Sequence, residues 1–569
     1  MPTATTWRMR EADPAVSQEW EDRGYAPILA SLLAVRGVKA EEAEAFFDPS
    51  LSRLVEPERL PGITRAVEVI LPYLASKRKI VVFGDYDADG VCATAILVTA
   101  LRRLGGCADA FIPARFDEGY GMTEASLKRL MSEHPDAALV VTVDNGITAT
   151  REVAALAARG VTVVVTDHHL PGETRPDAAA VVNPRVASAP GCDGLCGAGV
   201  AFFLVSALVR AAKARGCYAG GKFGGSLLVL AGLATVADLM PLTGQNRILV
   251  SQALATFSAW APVGLKELFD RAARRSMTLT ARDFAFLLVP RINAAGRMAS
   301  AVEAYDLLMT EDREEARHLA FKVDAHNVAR KTEERRMEAA ARAQIAARET
   351  TDAVVVQGDD WHPGVAGIVA ARIMETQRVP VAVMVGDHGS ARAPEGYNVH
   401  EALIASAEAL ARFGGHAAAG GFTVHPGSFE RFRDLFSAAC AQQRIRVGEV
   451  AEHVFDRWVE PADLTFALHE AIARLEPFGE GNPEPVFGLR NVAFADVRLR
   501  GADGRHAALT FVNRAIPRAV WWNHGAEAER LRVRSAARFD VLFTLGVSDF
   551  GPDAPCLELR VTAIRPAAV

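Results

Sequence analysis

Cysteine is scarce in this chain: seven among 569 residues, an odd number with no framework of paired spacings. That excludes a disulfide-stapled scaffold and points to a reducing cytoplasm. Long apolar runs are missing too, so no segment reads as a membrane span. The opening MPTATTWRMREADP has no apolar centre of the secretory kind. Low-complexity tracts and repeats of solenoid period are absent. Strong charge of either sign is lacking as well, the net charge being −6. This argues mildly against a surface that binds nucleic acid everywhere, but allows a basic groove around an acidic centre. What remains is ordinary globular composition, 50% hydrophobic and 23% charged. The length calls for roughly three to four domains.

Residues 1–60 read as a small helical lead-in. The apolar runs KIVVF (79–83), ALVVTV (138–143), VTVVV (161–165) and AAVV (179–182) then alternate with helical stretches near 91–104, 123–132 and 148–159. Such alternation predicts a parallel sheet covered on both faces. Two more apolar helices follow near 199–214 and 225–239. Residues 311–349 contain neither glycine nor proline and read as one long helix or a helix with a single break. At about 1.5 Å per residue it is long enough to join two domains, its charge reading as a solvated face. A second α/β pattern runs from 352 to 447, with a glycine-rich loop at 414–421. The tail shifts to short β runs of a small barrel or sandwich. The expected divisions are 1–60, 61–310, a connecting helix at 311–350, 351–447 and 448–569.

The chemistry concentrates in GDYDADG, where Asp85, Asp87 and Asp89 follow the first apolar strand. Three carboxylates so close repel one another and need a counter-charge. A calcium loop of the EF-hand kind fails, because its twelfth position is Ile96 instead of glutamate. A helix N-cap accounts for one aspartate, not three. The second strand ends in VTVDNG, setting Asp144 just past its edge, and the third ends in VVVTDHH, setting Asp167, His168 and His169 there. Open parallel sheets bind ligands outside the carboxyl ends of their strands. Oxygen ligands mixed with imidazole suit Mn²⁺ or a similar divalent ion, so a catalytic metal site is expected. Two apparent motifs do not hold. GCYAGGK lacks the Ser/Thr of a phosphate-binding loop, and Cys192 with Cys196 has no second pair for zinc.

The triplet Asp167-His168-His169, with DYDADG, Asp144-Asn145-Gly146 and ATVADLMPL, resembles the DHH phosphoesterase superfamily. The resemblance implies two metal ions, Mn²⁺ or Mg²⁺, held by Asp87, Asp89, Asp144, His168 and Asp238, with Asp144 bridging. Asp85 either ligates or orients the loop. Asp167 would orient the histidines. His169 would contact the scissile phosphate or help protonate the leaving 3′ oxygen, the alternative being a structural role. Many members carry a histidine four residues before the first ligating aspartate; here that position is Phe83.

Within that superfamily, similarity to the RecJ family extends over nearly the whole chain. It rests on FIPARFDEGYG (111–121), LCGAGVAF (195–202), PRINAAGRM (290–298), WHPGVAGIVAARI (361–373), SARAPEGYNVHEAL (390–403), GGHAAAGGF (414–422) and PFGEGNPEPVF (477–487). The implied architecture is α/β and multidomain: a parallel-sheet DHH domain, a long connecting helix, an α/β DHH-associated domain and a C-terminal β-barrel of the OB-fold type. Arg115, Ser390 and Arg392, each placed in a loop, would grip a terminal 5′ phosphate. Gly415 and His416 would approach the strand or form a packing loop. Arg291, Asn293 and Arg297 would line the DNA path or brace the DHH domain. The implied activity is a metal-dependent 5′→3′ exodeoxyribonuclease that degrades single-stranded DNA to mononucleotides in recombination and repair. It would be a cytoplasmic monomer away from membranes, with a single-stranded-DNA-binding protein and a helicase as partners. One rival is a DHH phosphodiesterase of short oligonucleotides or cyclic dinucleotides, which has no use for a C-terminal β domain. The other is a non-catalytic DNA-binding scaffold, which would be expected to have lost metal ligands.

Overall fold

The computed structural model describes residues 6–119, 121–217, 224–273, 279–347, 352–447, 452–501, 503–532, 537–548 and 555–567. Most of GCYAGGK lies outside them. The first sheet has five parallel strands: β1 (Lys79–Phe83), β2 (Cys107–Phe111), β3 (Leu139–Thr142), β4 (Thr162–Thr166) and β5 (Ala180–Val182). Their order is β2-β1-β3-β4-β5. Four are the valine-rich runs expected from sequence. The fifth, β2, is an edge strand of sequence CADAF that stays partly exposed, so it carries no apolar run to announce it. The connection after β1 runs toward β2 and that after β3 runs the opposite way toward β4, which opens a crevice at the carboxyl ends of β1 and β3.

Three helices form the buried layer behind that crevice: α1 (Ala88–Arg103), α2 (Gly197–Ala214) and α3 (Gly225–Ala237). Alanine, glycine and valine dominate their contact faces, so they pack closely. By length and composition α2 could cross a membrane, yet most of it is buried inside this domain. Helix α4 (Val289–Met298) closes the layer beside the crevice.

The glycine-free stretch forms one unbroken helix, α5 (Arg313–Ala346), of 34 residues, or about 50 Å. Leu319, Ala320 and Val323 pack in the first domain's core, whereas Met337 and Ala341 pack in the second's. Its charge is not all solvated. Asn327, Arg330 and Glu334 are buried at the junction. Arg330 donates to Asn327 and pairs with Glu334, which also meets Arg372 of α6 (Pro363–Gln377). An ion-pair network, buried on the helix side, therefore ties α5 to the second domain.

The second sheet holds β6 (Val354–Gly358), β7 (Val381–Val385), β8 (His388–Arg392), β9 (Leu410–Gly415) and β10 (Ala419–Val424), in the order β9-β10-β8-β7-β6. Two expected loops are strands. Ser390 and Arg392 lie on β8, and residues 414–421 are the facing ends and the turn of the β9–β10 hairpin. Small residues hide these strands, because glycine and serine show no apolar alternation.

The tail builds a seven-stranded sheet whose core includes Phe487, Leu509 and Phe543. Trp20, Leu32 and Leu33 from the first helices belong to that same core, and strand Thr6–Met9 pairs with Glu452–Phe455. Of the adjacent tryptophans there, Trp521 is buried and Trp522 exposed.

Candidate metal centre

The loop after β1 turns directly into α1, and Asp87 caps that helix. Its Oδ1 accepts from the backbone N–H groups of Asp89 and Gly90, each at 3.0 Å. Asp89 turns inward to the start of α2, where the N–H groups of Gly197 and Ala198 donate to its two oxygens at 2.7 and 2.8 Å. A helix N-terminus thus supplies partial positive charge to a buried carboxylate. Gly197 is required there, since a Cβ would fall 2.5 Å from that of Asp144.

Asp144 follows β3 with φ at 63°, a left-handed conformation that costs a non-glycine residue roughly 1–2 kcal/mol. Asn145 pins this turn by donating to the carbonyls of Val143, at 2.8 Å, and Gly84, at 3.1 Å. After β4, Asp167 accepts from the N–H of Ile147 and His168 and lies 2.7 Å from Nδ1 of His169. Every oxygen of Asp167 is engaged in fixing the loop. The Nε2 of His168 sits 3.1 Å from Asp144, 3.5 Å from Asp238 and 3.9 Å from Asp89. Asp238 ends α3, so it arrives from a helix and not from a strand.

Three sets of donor atoms are close enough to share an ion: Asp85, Asp87 and Asp144; Asp89, His168 and Asp238; and Asp144, His168 and His169. Among the described residues, buried oxygens of Asp85, Asp144 and Asp238 and both ring nitrogens of His168 lack hydrogen-bond partners. Such atoms are costly to bury unless something else binds them. Burial, then the charge of Asp87, pushes Asp89 up to about 6. Burial, then Asp89, pushes Asp238 up to about 8, and Asp144 rises for the same two reasons. Asp85 rises through burial and then Asp87. Burial, followed by the charge of His169, pulls His168 down to about 4, leaving it a neutral imidazole fit to ligate. Burial acts to lower His169, but the hydrogen bond and charge of Asp167 outweigh it and raise the imidazole. Crowded carboxylates, a neutral imidazole and orphaned atoms fit divalent cations. Phe83, at the position where other superfamily members place histidine, is fully buried against Phe111 and supplies no ligand.

Beside the acids stands a cluster of arginines from both domains. Arg297 is pulled down to about 10 by burial and then by the like charge of Arg115. Arg392 is lowered by burial and then by Arg115. Arg115 lies over the ring of Tyr86, Arg297 donates to the carbonyl of Gly364, and Arg392 donates to that of Ala391. Among the described residues none of the three has an ion-pair partner. Gly367 of α6 makes room, since a Cβ there would lie 2.9 Å from Arg392.

Three families of domain match this chain: the DHH family N-terminal domain over residues 79–221, the DHHA1 domain over 350–442 and the RecJ OB domain over 455–556. A single-stranded-DNA-specific exonuclease RecJ from Dickeya dadantii is 36% identical over 485 residues, covering 81% of this chain and 83% of the relative. This chain belongs to the RecJ family. The exonuclease RecJ of Bacillus subtilis is 34% identical across 89% of this chain, which spans 64% of that longer relative. The structure of RecJ from Thermus thermophilus in complex with Mn²⁺ aligns with all of this chain and 81% of its own, with a TM-score of 0.84 at 32% identity. The same protein is also known in complex with Mg²⁺. As in those RecJ complexes, Mn²⁺ or Mg²⁺ is the cofactor the acidic centre suits.

Measured against expectation, the fold brings Asp85, Asp87, Asp89, Asp144, His168, His169 and Asp238 together, with Asp167 behind the histidines. Arg115, Arg297 and Arg392 gather beside them, and Ser390 lies near Gly367 on the strand of Arg392. Arg291 does not join: it pairs with Asp324 of α5 at 2.8 Å and braces the domain. Asn293 accepts from the N–H of Ala88 at 2.8 Å, steadying the acidic loop. Gly415 and His416 lie at the exposed tip of the β9–β10 hairpin. Sequence reasoning missed Asn183 and Arg185, which donate to the carbonyls of His169 and His168, both at 2.9 Å. They follow the last strand run, AAVV, just as Asp144 follows its own, so the strand-end argument could have found them.

Proposed function

We propose that this RecJ-family chain is a metal-dependent exonuclease that degrades single-stranded DNA from the 5′ end to mononucleotides, in recombination and repair. The observation carrying this reading is the juxtaposition of two opposite charge clusters, an acidic one on the first domain and an arginine one contributed by both. A terminal phosphate suits the arginines, and the next phosphodiester would then reach the acids.

Asp87, Asp89, Asp144, His168 and Asp238 are the residues that would hold two ions, with Asp144, a member of two donor sets, shared. Bound there, Mn²⁺ or Mg²⁺ supplies an activated water and neutralises charge at phosphorus. Asp85, buried and lacking a partner at Oδ1 among the described residues, either adds a ligand or sets the loop. Asp167 orients His169, whose side chain is 45% exposed and can meet the phosphate or leaving oxygen. Arg115, Arg392 and Ser390 hold the 5′ phosphate, and Arg297 adds a third positive charge beside it. Gly415 and His416, at the exposed tip of the hairpin, would approach the strand.

All these groups come from one chain, so a monomer suffices for this reading. All seven cysteines are free, in keeping with the cytoplasm. A single-strand requirement implies a helicase upstream and a single-stranded-DNA-binding protein on the substrate. A length series tests the reading against a short-oligonucleotide phosphodiesterase. Cleavage with Mn²⁺ should proceed on strands of about 50 nucleotides, fail on the duplex and stop with EDTA. Activity confined to strands of a few nucleotides would overturn it.

A further inference from the structure

Two large apolar side chains stand in solvent next in sequence to members of the acidic centre. Leu170 follows His169 and is 63% exposed; Leu239 follows Asp238 and is 72% exposed. Scattered exposed leucines are ordinary, so position has to carry the argument. Their loops meet across the centre, where His168 approaches Asp238 to 3.5 Å. Phe116 is a third exposed apolar residue beside a site residue, but His362 of the second domain meets its ring edge-on. That contact accounts for Phe116.

Leu239 is the more telling of the pair. Its φ is 53°, just past the end of α3, where the N–H of Met240 bonds back to the carbonyl of Thr235. Helices that finish this way take glycine with least strain at the left-handed position. Neither core packing nor backbone preference explains a leucine there. The polar groups around it engage phosphate and metal chemistry, and nothing described so far engages a base.

We propose that Leu170 and Leu239 form an apolar lip that takes the face of a nucleobase flanking the scissile bond. This rests on the nuclease reading above. Every base offers an apolar face, so such a contact tolerates sequence, as degradation of arbitrary strands demands. The lip aligns the nucleotide while arginines and metal ligands hold its phosphates.

The test couples side chain to base. The full chain and its Leu239→Gly, Leu170→Ala and double variants are assayed with Mn²⁺ on 5′-phosphorylated single strands. One strand is natural, and others carry an abasic site at the first, second or sixth nucleotide. On the natural strand each single variant should lose several-fold in kcat/KM and the double variant on the order of tenfold. An abasic site at the first or second nucleotide should cost the wild type about as much and add almost nothing to the double variant. The sixth-position strand should behave as natural. Mn²⁺ affinity should be unchanged, and Leu239→Gly should keep or raise the melting temperature. Variants as active as wild type on the natural strand, or equally impaired on natural and abasic ends, would overturn the inference. A wild type that fails to cleave the natural strand would instead overturn the underlying reading, and the lip with it.

Discussion

Nε2 of His168 stands 3.1 Å from Oδ1 of Asp144, yet no hydrogen bond joins them and both atoms lack partners among the described residues. A neutral imidazole and a carboxylate aimed at common space are a pair prepared for a cation. The centre is therefore organised for charge it does not itself contain, and its behaviour without metal follows.

Asp144→Asn replaces a carboxyl whose charged form burial and then Asp89 disfavour, so at alkaline pH, where that charge forms, the substitution relieves the repulsion. There the metal-free variant should melt about 2–4 °C higher, the shift that about 1 kcal/mol makes in a domain of 150–250 residues. Its cleavage rate should fall by on the order of 10³. Calorimetry of the stripped protein and a single-turnover assay read the two effects, which are opposite in sign.

Metal binding should depend on pH. Asp89 and Asp238 are raised to about 6 and about 8, so the metal-free fold holds protons that an unfolded chain releases. Stability from such groups is present below the ordinary carboxylate range and is lost as pH rises through about 8. Metal must displace those protons, so apparent affinity should gain on the order of tenfold per pH unit for each proton displaced. The Mn²⁺-induced rise in melting temperature should be larger at pH 8 than at pH 6. Equal shifts at both would contradict this.

Asp167→Asn should leave both ions bound while lowering kcat about 10–100-fold, the range for partners that orient a functional histidine. Manganese binding by calorimetry, measured alongside the rate, separates loss of orientation from loss of metal.

Arg392→Ala should weaken the preference for a 5′-phosphorylated end over a 5′-hydroxyl end, leaving the share that Arg115 and Ser390 supply. A charge-assisted hydrogen bond of about 1.5–3 kcal/mol corresponds to roughly 10–100-fold in KM. Rates on the 5′-hydroxyl strand should barely move.

Glu334→Ala strands Arg330 in the domain junction, where Glu334 and Asn327 are its partners. Breaking a buried pair costs about 3–5 kcal/mol. Denaturant unfolding should show an earlier transition.

The legible parts of the fold were those where burial writes a pattern. Valine-rich β1, β3, β4 and β5 are covered on both faces and read as apolar runs. Edge strand β2 and the glycine-bearing strands β8 to β10 carry no such pattern, so from sequence Ser390 and Arg392 read as loop residues. In the site, aspartates at strand ends could be found by topology alone. Asp238 lies at the end of a helix and came only through family resemblance. The arginine cluster gathers Arg115, Arg297 and Arg392 from distant stretches, and only folding shows that they feel one another. Arg291, in the same motif as Arg297, turns the other way to Asp324. Less than two turns of helix separate the brace from the cluster, a distinction that residue type does not carry.

The most direct measurement labels a single strand at its 5′ end and another at its 3′ end, and follows each with Mn²⁺ and with Asp144→Ala. The account predicts immediate release of labelled mononucleotide from the 5′-labelled strand, progressive shortening of the 3′-labelled one, and neither with the variant. Release of mononucleotide first from the 3′ end, or undiminished cleavage by Asp144→Ala, would contradict it.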